Sequence, residues 1–481
     1  MTKLFGTDGV RGFAGTELDC AAVMRLGKAA GGAACANRQG RAKILVGKDT
    51  RASSDVLEAA LIAGICSAGA DVFVLGAIPT QAVSYLTEFY KADAGIMITA
   101  SHSPYDYNGI KLLGATGMRF TPEEEREIEQ LVFDDAWQKL GVGGKELGRI
   151  HYEEKAEWDY IRRVVKTPER DLRGMKIAVD CANGAASRYA KRVFESLGAT
   201  CISVGCDPDG YNINIGCGAA DTALLRETVL RRSCDIGLAF DGDCSKCIAV
   251  DEKGELIDGD KQLAIFGKFL KVQGKLNSNT VVATVMSNYG LSEFGEHEGI
   301  NVAATAVGSG KVLERMLRFG YNLGGEQNGH IIFLDCEKTG DGLITGVKLC
   351  EIIKRARRKA SELSAIMETY PQVRRDVFLP PEKRGVWAED QSFRELVSQY
   401  RKKLGHEGRI LVRESGTESV IRIMLEGRKT GVITEYANNI ADKLVQVINT
   451  KTEKELETEK MLRELRDETE NGLSVLPELK S

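Results

Sequence analysis

Ser101 and His102 close an apolar run in "AGIMITASHSP". A hydroxyl at a strand end can carry a phosphoryl group, and an imidazole beside it can move a proton. Lys111, in "NGIK", supplies a cation. Farther along, "FDGDCSK" presents Asp241 and Asp243, oxygen donors that suit Mg2+ beside a phosphate. "VRESGTESVIR" offers Arg413, Ser415, Gly416 and Thr417, which combine a guanidinium fork, hydroxyls and accessible backbone N–H groups. That set suits a phosphate dianion. The chemistry these residue types describe together is phosphoryl transfer on a small, doubly anchored phosphorylated substrate.

Competing chemistries fit less well. Cys244 and Cys247 are spaced like half of a zinc site, but a structural zinc site takes four ligands and a second closely spaced pair is absent. Buried thiols are the expectation there. "GSGK" at 308–311 resembles a P-loop, yet that motif needs Gly at 305 and Ser or Thr at 312, where Thr305 and Val312 stand. His151, His297 and His406 read as surface or core histidines. Asp49 and Arg51 in "GKDTR" fit a strand-end turn as well as a cleft, and Asp180 and Asn183 fit a strand-to-helix turn.

The elements that must position these groups alternate. "AKILVGKD" (42–49), a helical run at 53–70, "DVFVLG", "TQAVSYLTEFY" and "AGIMITASHSP" spell β-α-β-α-β, hence a mostly parallel sheet with crossover helices. Ser54 and Asp55 are candidate caps of the 53–70 helix, with Glu58 completing a capping box. Thr121, Pro122 and Glu124 open another helix over 121–132 in the same way. The grammar restarts at "KIAVDCANG" and again at "TVVATVMSN". The expected fold is α/β: three similar α/β domains with mixed, mostly parallel sheets, at 1–155, 156–256 and 257–368, plus a smaller C-terminal α+β domain at 369–449. A charged C-terminal extension, 450–481, follows, with one amphipathic stripe. In such sheets ligands gather at the carboxyl ends of the strands, which selects the four polar loops at Ser101, Asp241, "GGEQNGH" and Arg413.

A chain of 481 residues has ample length for several cores. Its net charge of −4, with acids and bases interspersed, argues against a nucleic-acid surface. No apolar run has bilayer-spanning length, and "MTKLFGTDGVRG" lacks a signal-peptide core, so a cytoplasmic protein without membrane contact is expected. The 12 cysteines are scattered, as reduced thiols in a cytosolic chain would be.

"FGTDGVRG" (5–12), "TASHSP" (99–104), "NGIK" (108–111), "DGDCSK" (241–246), "GEQNGH" (325–330) and "RESGTE" (413–418) occur in the order found in the α-D-phosphohexomutases, which the chain resembles from residue 4 to about 447. "GEQ" resembles the amino-sugar branch of that family. The resemblance implies four domains around a central cleft and Ser101 as a phosphoserine. It implies interconversion of glucosamine 6-phosphate and glucosamine 1-phosphate through glucosamine 1,6-bisphosphate, which also serves as activator. It places Arg11, His102, Lys111 and Lys246 on the reacting phosphoryl and proton transfer. It places one Mg2+ on Ser101, Asp241, Asp243 and the position of Ser245. Glu326, Asn328 and His330 would contact sugar hydroxyls, and Arg413, Ser415, Gly416, Thr417 and Arg422 would grip the other phosphate. The partner implied is a small phosphorylated sugar, and a homodimer is compatible with it.

The chain departs from the family at cleft loops. D-G-D-x-D-R has become D-G-D-C-S-K, so Ser245 replaces a carboxylate ligand and Lys246 an arginine. "TASHSP" carries Ser103, "VGSGKV" carries Ser309, Gly310 and Lys311, and "RESGTES" replaces R-P-S-G-T-E-P. Losing even an outer partner of a metal ligand costs about 10–100-fold in affinity, so a weakened magnesium site is expected. Two function classes follow: a phosphohexomutase, which the surviving nucleophile and phosphate loops favour, or a weakened or inactive relative that binds a sugar phosphate or a regulatory partner.

Overall fold

Three sheets repeat one plan: parallel strands, then a polar loop, then a strand that returns antiparallel. In the first, Lys43–Lys48 lies parallel to Asp71–Ala77 and Ala94–Ile98, and Tyr107–Gly114 returns along Ala94–Ile98. Val10–Phe13 and Ile150–Tyr152 extend its two edges. In the second, Lys176–Asp180 lies between Thr200–Val204 and Ile236–Phe240, and Cys247–Asp251 returns. In the third, Thr280–Thr284 lies between Asn301–Thr305 and Leu323–Gly325, and Ile331–Phe333 returns. The computed structural model describes residues 4–449, apart from 7, 37, 39 and 416–418. Gly416, Thr417 and the 450–481 extension therefore lie outside the described residues.

The returning strands place the chemistry. Ser101, Asp241 and Glu326 all sit in the loop between the last parallel strand and its antiparallel partner, one in each sheet. Parallel strands covered on both faces read as continuous apolar runs, and Ala94–Ile98 and Ile236–Phe240 are buried at every position. One core runs through all three sheets, from Leu45 and Met97 through Val179 and Phe240 to Val281 and Met367. A second core covers the other face of the first sheet, around Ile44, Leu61 and Ile98.

Helix starts follow the sequence in one case and not in another. The helix Pro122–Phe133 opens on the expected box: Glu124 N–H donates to Thr121 Oγ1 at 3.3 Å, and Thr121 N–H donates to Glu124 Oε2 at 2.7 Å. The helix Ala52–Ser67 instead takes Arg51 as its N-cap residue, without a side-chain cap. Ser54 Oγ donates to Asp49 Oδ1 at 3.0 Å, while Asp55 and Glu58 receive Lys48 Nζ at 2.8 and 2.5 Å. Tertiary partners outcompete the local cap.

The chain divides between Glu368 and Thr369. The C-terminal unit has a three-stranded antiparallel sheet, with Val420–Gly427 between Gln372–Phe378 and Gly408–Glu414. Its helices Gln391–Leu404 and Thr430–Asn449 bury Phe393, Val397, Ile433 and Leu444 against Ile421 and Ile423. Among the described residues, no helix is long and apolar enough to cross a membrane.

Candidate active site

Ser101 begins a tight turn in left-handed backbone (φ +52°), a conformation that costs a non-glycine residue energy and persists only where surroundings enforce it. Here the enforcement is visible. Thr99 Oγ1 accepts from Ser101 N–H at 2.9 Å and donates to Asp49 Oδ2 at 2.7 Å. Arg51, 1% exposed, pairs with Asp49 through Nε at 2.9 Å and donates to the carbonyls of Ser101 (3.1 Å), Ser103 (2.8 Å), Tyr107 (3.1 Å) and Pro104. Asn214 Nδ2 donates to the carbonyls of Ser101 and Ser103, both at 3.0 Å. Arg51 and Asn214 are thus loop-holding residues that motif reading left unassigned. Gly242 completes the approach, since a Cβ there would come 2.5 Å from the Ser101 carbonyl oxygen.

The loop at 241–246 supplies the charges around the hydroxyl. Ser101 Oγ donates to Asp241 Oδ2 at 2.6 Å. Lys246 Nζ lies 2.7 Å from the same oxygen, 2.8 Å from Ser101 Oγ and 3.3 Å from His102 Nδ1. Lys111 Nζ lies 2.9 Å from Asp243 Oδ2 and 3.2 Å from Asp8 Oδ2. Burial pushes the Asp243 carboxyl up, but the ammonium of Lys111 and then that of Lys246 outweigh it and hold the carboxyl well below its usual range. Burial likewise favours a neutral Lys111, yet Asp243 and Asp8 together raise its pKa. The Lys246 ammonium, more than burial, lowers the pKa of His102, which keeps that imidazole neutral near neutral pH. Arg11 reaches Asp8 at 3.2 Å and Ser103 Oγ at 3.4 Å, and Arg119 reaches Asp8 at 3.0 Å.

The donor set does not fit the magnesium site expected on Ser101, Asp241, Asp243 and Ser245. All four carboxylate oxygens already accept hydrogen bonds. Asp241 Oδ1 takes Lys246 N–H at 2.9 Å, and Oδ2 takes Ser101 Oγ and Lys246 Nζ. Asp243 Oδ2 takes Thr80 Oγ1 at 2.7 Å and Lys111 Nζ, and Oδ1 takes Ser245 N–H at 3.4 Å. Ser245 Oγ donates to Asp241 at 3.3 Å. Cys244 and Cys247 are fully buried free thiols, both pushed up by burial and therefore inert.

The loop at 326–330 packs onto this one. Cys247 N–H donates to the Gly329 carbonyl at 3.0 Å, and Gly329 (φ +88°) has no room for a Cβ, which would stand 2.4 Å from the Cys247 carbonyl oxygen. Glu326 Oε1 accepts from Gly308 N–H at 3.0 Å, which draws the "VGSGKV" turn to the same place. Burial raises the Glu326 pKa and lowers that of His330 to about 4. His330 is therefore neutral. Its Nε2 accepts from Gly340 N–H at 3.2 Å, which leaves the proton on Nδ1. Asn328 is exposed and accepts from His330 N–H at 3.1 Å. A cavity joins the loops, lined among others by Lys111, Arg119, Ser245, Ser309, His330 and Lys338. The structure thus brings Ser101, His102, Lys111, Asp241, Asp243, Ser245, Lys246, Glu326 and His330 into one region.

In the C-terminal unit, Arg413 and Arg422 are direct cross-strand partners, and Asp376 pairs with Arg422 on the other side. Burial and then the Arg422 charge lower the pKa of Arg413. Like charges directly opposite destabilise a sheet, so this pair favours an anion. Ser415 is buried, with its N–H on the Val420 carbonyl at 2.9 Å.

The chain matches four family descriptions in order. They are Phosphoglucomutase/phosphomannomutase alpha/beta/alpha domain I at 2–139, domain II at 158–254, domain III at 258–370, and the C-terminal domain at 358–443. It is 46% identical to the phosphoglucosamine mutase of Clostridium acetobutylicum over 449 residues, 93% of this chain and 100% of that protein. It is 45% identical to the phosphoglucosamine mutase of Clostridioides difficile, over 92% of this chain and 98% of that protein. Its fold matches the crystal structure of a phosphoglucomutase/phosphomannomutase family protein from Burkholderia thailandensis with a TM-score of 0.77, at 23% identity, over 94% and 99% of the two chains.

Proposed function

This chain belongs to the phosphoglucomutase/phosphomannomutase family, and on that premise we propose that it is a phosphoglucosamine mutase, interconverting glucosamine 6-phosphate and glucosamine 1-phosphate. The observation that carries the reading is the Ser101 hydroxyl, 3% exposed, held between Asp241 Oδ2 and Lys246 Nζ at the tip of a rigidly pinned turn. Such pre-positioning is most of what phosphoryl transfer asks of a protein.

In the first half-reaction, the P–Oγ bond of phosphorylated Ser101 breaks and a bond from phosphorus to the sugar O1 forms. The neutral His102 takes the sugar hydroxyl proton, and Lys111 and Lys246 balance the phosphoryl charge. The resulting bisphosphate turns over and returns its 6-phosphoryl group to Ser101, with the proton delivered to O6. Glucosamine 1,6-bisphosphate is thus both intermediate and priming agent. Glu326, Asn328 and His330 meet the sugar hydroxyls, and Arg413, Arg422 and Ser415 hold a phosphate dianion. The substitutions Ser245 and Lys246 alter the cation at the site, not the class of reaction. A non-catalytic role is not favoured, since the relatives named phosphoglucosamine mutase match along nearly their full length.

The test follows glucosamine 6-phosphate by 31P NMR after priming with the bisphosphate. Appearance of the 1-phosphate resonance is expected, and its absence under every metal condition would remove the assignment.

A further inference from the structure

Lys246 makes three contacts that together describe a cation site already filled. An ammonium has three N–H donors, and here they face Asp241 Oδ2 at 2.7 Å, Ser101 Oγ at 2.8 Å and His102 Nδ1 at 3.3 Å. We propose that the Lys246 ammonium takes the place of a divalent cation at Ser101, so that this chain transfers phosphoryl groups without a bound metal. The inference rests on the mutase reading above and deepens it.

Three observations support the substitution. The first is charge. Asp241 faces Lys246 and Asp243 faces Lys111, two carboxylates against two ammoniums. A dication entering beside them would meet no net negative charge from these four groups. Phosphorylation of Ser101 adds about −1.5 to −2; with Asp8, Arg11 and Arg119 counted as well, the side chains here set four cations against three carboxylates before that charge arrives. The second is coordination. Mg2+ asks for near-octahedral oxygens at about 2.0–2.1 Å. Every carboxylate oxygen of Asp241 and Asp243 instead carries a protein donor. Admitting the ion would mean expelling Lys246 Nζ from a place where its side chain is only 11% exposed, leaving a buried charge without its partner. The third is the residue at 245. Ser245 does not aim a lone pair at an ion; its hydroxyl donates to Asp241.

The ammonium also has a proton to give, as a metal does not. When the P–Oγ bond breaks, Lys246 passes a proton to Oγ while His102 accepts the proton of the attacking sugar hydroxyl. In the return half-reaction Ser101 Oγ attacks the 6-phosphoryl group and gives its proton back to Lys246, and His102 returns its proton to O6. Both groups end as they began, so atoms and charge balance over the cycle.

Two readouts test this. The first is turnover by 31P NMR with the metal stripped by EDTA and then restored. The wild-type rate should be unchanged in both conditions. The double variant Ser245→Asp with Lys246→Arg should lose at least tenfold in EDTA and regain it with Mg2+, as expected for a created metal site. Lys246→Met should lose about 10²–10⁴-fold whatever the metal. A wild-type rate that falls tenfold on chelation and recovers with Mg2+ overturns the proposal. The second readout needs no turnover: Mn2+ binding by electron paramagnetic resonance, on protein as purified and after bisphosphate treatment. Wild type should show no bound ion, and the double variant should. A wild-type Mn2+ signal abolished by Asp241→Asn overturns the proposal. A chain that does not turn over under any condition would overturn the mutase assignment and, with it, transfer without a bound metal, whereas turnover that depends on Mg2+ would overturn the metal inference alone.

Discussion

The Arg51 guanidinium and the Ser101 carbonyl oxygen are 3.1 Å apart, and both residues are buried. This one side chain spans the turn that carries the nucleophile while neutralising Asp49 beneath it. Arg51→Met should therefore release the turn and leave a buried carboxylate unpaired, at a cost of about 3–5 kcal/mol. Urea unfolding measures the loss. Arg51→Lys should recover charge but not the fork of contacts, and so fall between the two. A cost near zero would mean the turn is held by Thr99 and Asn214 alone.

Ser101→Ala removes the phosphoryl acceptor and a single hydroxyl from Asp241 and Lys246. Intact-mass analysis after bisphosphate treatment should find a phosphoryl adduct on wild type and none on the variant. Binding of glucosamine 6-phosphate should persist while turnover disappears. Full mutase activity in the variant would place the acceptor elsewhere.

Arg413→Ala should weaken binding of either sugar phosphate by roughly tenfold or more, since a charge-assisted hydrogen bond contributes about 1.5–3 kcal/mol. The C-terminal sheet should survive, because the substitution also relieves repulsion with Arg422 across the strand pair. Calorimetry with each sugar phosphate reads the affinity, and circular dichroism reads the fold.

Burial, helped by the neighbouring Asp341, raises Glu337 to about 8, and burial raises Asp341 to about 6. Arg163, 3.2 Å from Glu337 Oε1, pulls the other way, but it is partly exposed and shares its donors with the Cys336 carbonyl, so burial prevails. Lys338 opposes the shift more weakly, and Tyr160 donates to Asp341 at 2.8 Å. Unfolded, these carboxyls titrate near about 4.3 and 3.9. Between those values and the folded ones, the folded chain keeps protons that the unfolded chain has released. Their contribution to stability therefore falls as pH rises from about 4 to 8. Glu337→Gln, which mimics the protonated acid, should raise Tm by a few degrees at pH 8 and change it little at pH 5. An equal shift at both pH values would contradict the raised pKa.

What the sequence made legible was whatever is local. The Thr121 box lies within four residues, and the apolar runs ending in Ser101 and Asp241 needed only their own composition to be read as buried strands. Motif order carried the family, and with it the candidate residues Ser101, Asp241 and Lys246 that the fold brings together. The rest depended on contacts between distant residues. Arg51 fitted a strand-end turn as well as a cleft because its partners at Ser101 and Pro104 lie some fifty positions away. Ser54, Asp55 and Glu58 had the right spacing for a cap, but Asp49 and Lys48 claimed them. Lys246 was visible as a substitution; that its ammonium would reach Ser101 Oγ and Asp241 together was not.

Because Ser101, Asp241 and Glu326 occupy corresponding hairpin tips in three repeated sheets, the chemistry of this protein is modular. Ser101, Asp241 and Glu326 sit on separate hairpin tips, while Lys111, on the strand Tyr107–Gly114 of the first sheet, reaches across to Asp243 on the second tip. Ser245 and Lys246 lie on the second tip, while the acceptor turn is held by Arg51 and Asn214. Ser101 on the first tip touches Asp241 and Lys246 on the second, so variation in metal dependence among related chains should track the first two tips together, and variation in sugar preference the third.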